Sequence, residues 1–260
     1  MKLLPLFLRR PIEAVYERRL AVTLEGLPRP RHVGIMVDGN RRWARQAGHT
    51  DVSEGYRAGG AKVTEFLGWC TAAGIEHVTL FMLSDDNLGR PAEELGPLIE
   101  IIEETVRDIT AEGRRWEVQV IGSLDMLPPA SSRVLKEAAA ATAGCGGLKV
   151  DVAVGYGGRR EIVDAVKSAF EEHMAAGGDP AELVERFEIE DISRHLYSPT
   201  ADHTDFIIRT SGEQRLSGFL LWQSAYAEMH WVDCYWPAFR HLDFLRALRS
   251  YANRERRFGR

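Results

Sequence analysis

Along most of the chain, short apolar runs alternate with longer segments of helical periodicity. Six runs read as strands: His32–Val37, His77–Leu83, Trp116–Ile121, Leu148–Val154, Asp205–Arg209 and Glu228–Val232. Most are continuous apolar or β-branched stretches, the pattern of strands covered on both faces. The segments between them carry apolar stripes at i, i+3, i+4 spacing. One stripe is Val63, Phe66, Leu67, Cys70 and Ala73; the next is Leu95, Leu98, Ile99, Ile102, Val106 and Ile109. The second helix opens with Pro91 at its first position and has Glu93-Glu94 in its first turn, both favourable there. This alternation predicts an α/β fold with a mainly parallel central sheet of about six strands, flanked by helices and joined by right-handed crossovers. The Gly144–Gly147 cluster reads as a turn, and no linker or repeat divides the chain. A single domain over residues 31–260 follows, preceded by a helical extension over residues 1–30.

That extension contains an amphipathic helix, Pro11–Leu24, carrying Arg18 and Arg19. The plainer reading folds it over the domain; shallow attachment to a lipid interface is the alternative. Met1–Leu8 is apolar but is followed by Arg9-Arg10-Pro11, the wrong order for a signal peptide. No apolar run approaches the roughly 18 residues of a membrane span.

Composition narrows the function classes. The 260 residues hold 33 Lys+Arg against 38 Asp+Glu, a net charge of −5, which argues against a general nucleic-acid binder. The three cysteines, Cys70, Cys145 and Cys234, are too scattered for a disulfide framework or a structural zinc site. A reducing, cytoplasmic setting is the simplest expectation.

In an open parallel sheet, ligands collect at the carboxyl ends of the strands. The first strand is followed by Asp38-Gly39-Asn40-Arg41-Arg42-Trp43-Ala44-Arg45. Glycine allows close backbone approach, and arginine forks suit phosphate oxygens. A lone Asp38 in that cationic surround suits Mg²⁺, which commonly takes one or two carboxylates plus substrate phosphates. The bland alternative has Asp38 capping a helix and the arginines facing solvent. The second strand runs into Ser84-Asp85-Asp86-Asn87-Leu88-Gly89-Arg90, which alone reads equally well as a capping loop. The fifth runs into Arg209-Thr210-Ser211-Gly212-Glu213-Gln214-Arg215-Leu216-Ser217-Gly218, a second candidate phosphate cradle. Two anion sites, an acid at each (Asp38 and Glu228), and abundant apolar helix surface point to two phosphorylated substrates with greasy bodies.

The Asp38–Arg45 motif, the Arg209–Ser217 block and the run Leu221-Trp222-Gln223-Ser224-Ala225-Tyr226-Ala227-Glu228 resemble the cis-prenyltransferases, the undecaprenyl diphosphate synthase-like enzymes. The likeness runs from about Arg31 to the C-terminus and is greatest to short-chain actinobacterial members that make Z,E-farnesyl diphosphate. It implies condensation of isopentenyl diphosphate with a short allylic diphosphate, with an apolar product tunnel between sheet and helices. By this resemblance Asp38 holds Mg²⁺ and assists departure of the allylic diphosphate. Gly39, Asn40, Arg41, Arg42, Trp43, Ser84, Leu88 and Arg90 form the allylic site. Arg209, Arg215 and Ser217 bind isopentenyl diphosphate, Glu228 is a second metal ligand, and Asn87 helps proton transfer. Arg257 and Gly259 match a terminal Arg-x-Gly element that reaches the partner subunit's isopentenyl site, implying a homodimer completed in trans.

Departures bear on chain length. Asp86-Asn87-Leu88 stands where long-chain members carry Glu-Asn-Trp, and Met82 stands where they place a small residue, so Met82 and Leu88 are the chain-length candidates. The loop Gly48–Glu54 is one residue longer, with Asp51 or Val52 in place of an arginine that Arg57 would replace; Gln214 stands for a common histidine. The preferred product is C15, from geranyl diphosphate and one isopentenyl unit. Medium- or long-chain synthesis and a non-catalytic subunit role are the alternatives. A haloacid-dehalogenase reading fails because Asp38 lacks a second aspartate two residues on. An all-α trans-prenyltransferase is excluded by the strands, and Gly155-Tyr156-Gly157-Gly158-Arg159-Arg160 misses the last glycine of a dinucleotide loop.

Overall fold

A computed structural model describes residues 6–199 and 203–254, with side chains from Glu13 onward. Its centre is a six-stranded sheet of β1 (His32–Met36), β2 (His77–Ser84), β3 (Trp116–Ile121), β4 (Leu148–Tyr156), β5 (Phe206–Arg209) and β6 (Glu228–Trp231). All neighbours run parallel, in the order β3-β4-β2-β1-β5-β6. The expected fold class is therefore the one observed. Strand bounds differ from expectation by a residue or two, because β4 runs on to Tyr156 and the edge strand β6 is short.

The helices are α1 (Leu6–Thr23), α2 (Asn40–Gln46), α3 (Ser53–Ala72), α4 (Ala92–Ile109), α5 (Pro129–Ala140), α6 (Gly158–Ala175), α7 (Pro180–Arg186), α8 (Ile189–His195) and α9 (His241–Ala252). Side chains alternate across each strand, so the two faces bury different sets. One face presents Val33, Ile35, Val78, Leu80, Val150 and Val152 to the stripes of α3 and α4, including Val63, Phe66, Leu67, Leu98, Ile102 and Val106. The other buries Met36, Ala153, Tyr156 and Ile207 against Phe219 and Leu220. Nearer its amino end that second face is polar. His32 and His77 stack with ring centroids 4.2 Å apart, and His77 Nε2 lies 2.9 Å from Asp151 Oδ2.

Helix α1 starts upstream of Pro11 and packs beside α9, with Leu20 and Leu24 buried in the main core and Glu13 paired to Arg240 at 2.9 Å. Among the described residues, no helix is long and apolar enough to cross a membrane. The three cysteines are free: Cys70 buried, Cys234 half-buried and Cys145 exposed.

Two features aim the fold at one crevice. The connection leaving β1 leads to β2 on one side, while β5 docks on the other, so the chain order switches at β1 and opens a cleft at its carboxyl end. In addition, Phe81 pairs with Ala153 and Leu83 with Val154, leaving Met82 as an extra residue in β2. This bulge breaks the strict alternation. Met82 and Leu83 therefore both face α3 and α4.

Candidate active site

Asp38 lies two residues beyond the end of β1. Gly39 follows at φ +100°, and a Cβ there would come within 2.6 Å of the Tyr235 ring, so this turn demands glycine. A Cβ on Gly55 or Gly59 of α3 would meet Asn40 at 2.1 or 2.4 Å, so small residues on α3 let α2 lie close. The backbone of Asp38 is fixed by Thr210, whose Oγ1 donates to Asp38 O at 2.8 Å, and by Trp236 N, which donates to the same oxygen at 3.0 Å.

The carboxylate of Asp38 faces the second cradle. Its Oδ2 accepts from Arg209 Nη2 at 2.9 Å and Ser211 Oγ at 3.0 Å, and Arg42 Nη2 lies 3.5 Å from Oδ1. Burial opposes its ionisation. Hydrogen bonds from Arg209 and Ser211 and the charges of Arg209 and Arg42 outweigh that, so its carboxyl is held below the ordinary range. Arg209 ends β5 and is 3% exposed; its Nη1 donates to Ser217 Oγ at 3.1 Å and to Arg215 O. The loop bends through left-handed backbone at Ser211, Gly212 and Ser217.

A third group comes from the end of β2. Ser84 Oγ accepts from Asn87 N at 3.3 Å, and Asn87 Oδ1 accepts from Arg90 Nε at 3.2 Å. Arg90 Nη1 reaches Tyr56 OH at 2.9 Å and Glu94 Oε1 at 3.0 Å, while Arg41 lies 3.3 Å from Glu94 Oε2. Burial, then the bond to Glu94, pushes the Tyr56 phenol up to about 12. Glu94 thus holds two arginines, Arg41 and Arg90, toward one space.

That space is a cavity of about 530 Å³. Its wall includes Asp38, Gly39, Asn40, Arg41 and Arg42 from the first motif, and Ser84, Asn87 and Arg90 from the second. Arg209, Arg215 and Ser217 come from the third. Its apolar end is closed by Met82, Leu83, Leu98, Ile101 and Ile102. The structure thus brings together most of the sequence candidates in one chamber.

Three candidates lie elsewhere. Trp43 is not among the lining residues; it stacks on His49 at 5.8 Å. Leu88 packs against the core. Glu228 is a correction: it opens β6 in register with Phe206, at the amino end of the strands, and its carboxylate pairs with Arg254. Because β6 runs parallel to β5, Glu228 is level with Val33, about five strand residues or roughly 16 Å from Asp38. Within one chain the two acids cannot share an ion. The acid at the second cradle is Glu213, which Arg42 Nη1 reaches at 3.1 Å. Arg257 and Gly259 lie outside the described residues.

Tyr56, Glu94 and Glu213 lacked a role in the sequence. Tyr56 and Glu94 sit on helices whose signal is their apolar stripe, and Glu213 sat unassigned inside the Arg209–Ser217 block. Among the described residues no group of three or more His, Cys, Asp or Glu gathers into a metal cage. Asp38 alone is a donor set suited to Mg²⁺ carried by phosphate oxygens.

Comparison with known proteins agrees with the fold. The family model for undecaprenyl diphosphate synthases matches residues 35–259, and the chain belongs to that family of prenyltransferases. It is 64% identical to isoprenyl transferase 2 of Streptomyces coelicolor, over 97% of this chain and 98% of that one. It is 56% identical to the (2Z,6E)-farnesyl diphosphate synthase of Thermobifida fusca, over 97% of this chain and 98% of that one. Among solved structures it is similar to lavandulyl diphosphate synthase from Lavandula x intermedia in complex with dimethylallyl diphosphate. The TM-score is 0.81 at 30% identity, covering 89% of this chain and 98% of the other.

Proposed function

We propose that the chain is a Mg²⁺-dependent cis-prenyltransferase that joins one isopentenyl diphosphate to geranyl diphosphate, giving (2Z,6E)-farnesyl diphosphate and releasing diphosphate. One observation carries this reading: Asp38 stands where two arginine cradles meet, above an apolar chamber of limited volume. The cavity, about 530 Å³ with both cradles included, ends on Met82, Leu98, Ile101 and Ile102, a wall that favours a short product. The names of the relatives in Thermobifida fusca and Mycobacterium tuberculosis support the same product.

In this reaction the allylic C–O bond breaks and its electron pair leaves with the diphosphate. The isopentenyl double bond supplies the electrons of the new C–C bond. A proton then departs from the adjacent carbon, leaving the new double bond. Arg41, Arg42 and Arg90 stabilise the charge that grows on the leaving diphosphate without having to reorganise, since Glu94 already orients two of them. Arg209, Arg215 and Ser217 hold the isopentenyl diphosphate beside it. Asn87, whose carbonyl is held by Arg90, is placed to help the proton leave. When bound, Mg²⁺ would sit on Asp38 and neutralise diphosphate charge.

The enzyme is read as a cytoplasmic homodimer, with Arg257 and Gly259 completing the partner's isopentenyl site. The buried Leu20 and Leu24 support an α1 folded over the domain; exposed Val15 and Val22, with Arg18 and Arg19, form the face a lipid contact would use.

The test is mass analysis of products from labelled isopentenyl diphosphate with dimethylallyl, geranyl and farnesyl primers, with and without EDTA. The expected result is a C15 diphosphate from geranyl diphosphate, lost with EDTA. Asp38→Ala lowers turnover by at least about 10²-fold with an unchanged circular dichroism spectrum. Products of C50 or longer, EDTA-insensitive turnover, or near-normal rates in Asp38→Ala refute the corresponding part.

A further inference from the structure

The isopentenyl cradle contains an acid that the reaction does not use. Glu213 Oε1 accepts from Arg42 Nη1 at 3.1 Å, and its Oε2 is paired with Arg215 Nη1. Arg42 belongs to the allylic cradle and Arg215 to the isopentenyl cradle, so one carboxylate occupies a guanidinium of each. Acids and arginines alternate across the mouth in the order Arg209, Asp38, Arg42, Glu213, Arg215. Asp38 in that row is fixed by Arg209 and Ser211 and by backbone bonds on both sides. Glu213 is held differently. Its side chain is 30% exposed, it follows Gly212 at φ +76° on irregular backbone, and among the described residues its side chain bonds to Arg42 and Arg215. It can swing into solvent without unpacking the core.

We propose that Glu213 is a built-in stand-in for diphosphate that couples the two cradles. Bridging Arg42 and Arg215, it keeps both cradles partly neutralised; a diphosphate entering either one expels it and frees the other. This rests on the assignment of the two cradles to two diphosphates. The coupling is a population shift between an inward and an outward Glu213. A diphosphate takes an arginine from the carboxylate and repels it, so each substrate binds the outward state better. Two ligands that favour the same state each raise the other's affinity, and by the same factor. One bound substrate therefore prepares the site for the second.

The experiment is calorimetric titration of isopentenyl diphosphate and a non-cleavable thio analogue of geranyl diphosphate, alone and in combination, into the wild type, E213Q and E213D. Metal is omitted, so that only the protein's own groups can couple the sites. E213Q is expected to bind each ligand alone about two- to fivefold more tightly, the range of an exposed ion pair. The affinity gain that one ligand confers on the other falls by the same factor, because the outward state is already populated. E213D keeps the charge but is too short to span both arginines, so it loses the coupling as E213Q does. Coupling equal to wild type in E213Q, or retained in E213D, overturns the proposal while leaving the cradles assigned. Failure of both ligands to bind the wild type overturns the cradle assignment itself.

Discussion

The reading of a C15 product is tested by enlarging the closed end of the chamber in measured steps. Met82 reaches that end because the bulge in β2 turns it toward α3 and α4, and Ile101, 4% exposed, meets it from α4. Met82→Ala removes three heavy atoms, about 90 Å³ at about 30 Å³ each, whereas one isoprene unit of five carbons needs roughly 150 Å³. The single variant should therefore still make mainly C15, with a minor C20 product. Adding Ile101→Ala brings the released volume to about 180 Å³, and C20 should then dominate. Full burial makes the Ile101 change cost about 2–5 kcal/mol, and the half-buried Met82 stands near the lower end of that range. A thermal melt must accompany the product analysis by mass spectrometry. A folded double variant that makes only C15 would show that the chain does not stop at this wall. C30 or longer from Met82→Ala alone would show that Met82 plugs a longer tunnel, and the volume estimate would fail.

Three further expectations concern the charged groups and the assembly. Arg215→Ala should raise KM for isopentenyl diphosphate with little change in kcat, whereas Arg209→Ala should also lower kcat, since Arg209 orients Asp38 at 2.9 Å; a selective rise in KM for the allylic substrate in steady-state assays would mean the two sites are interchanged. His32 is pushed down to about 4 by burial and by the charge of His77, though His203 O, Asp151 and Asp205 pull the other way. Its unfolded form titrates near 6.5, so the stability it contributes is full above that pH and is lost as pH falls from 6.5 toward 4, by up to about 3 kcal/mol. Urea melts that stay flat between pH 7 and 5 would refute this. Truncation after Arg254 should damage catalysis while leaving the melting temperature and the dimer, followed by sedimentation, unchanged; full activity would remove the terminal Arg-x-Gly element from the site.

What the sequence conveys and what it hides divide along a physical line. The strands are legible because a buried parallel strand must be an apolar run, and Asp38, Arg42, Arg209 and Arg215 because each follows such a run at its carboxyl end. The bulge at Met82 leaves no local mark, since it depends on how β2 registers against Ala153 and Val154 of β4. Tyr56 and Glu94 are equally silent: they meet only when α3 and α4 pack, and each helix by itself advertises its apolar stripe. Glu228 shows the cost of ignoring direction. Its strand was identified, yet a residue that opens a parallel strand faces the end away from the cleft. Moving that acid away changes the chemistry required of the rest. At the tip of β1 the chain offers a cation Asp38, already shared with Arg209 and Arg42, while the neighbouring Glu213 is taken up by Arg42 and Arg215. An ion that prefers six oxygens would take the others from substrate phosphates and water, so the arginine cradles should bind diphosphate without metal, whereas metal should bind weakly until diphosphate is present.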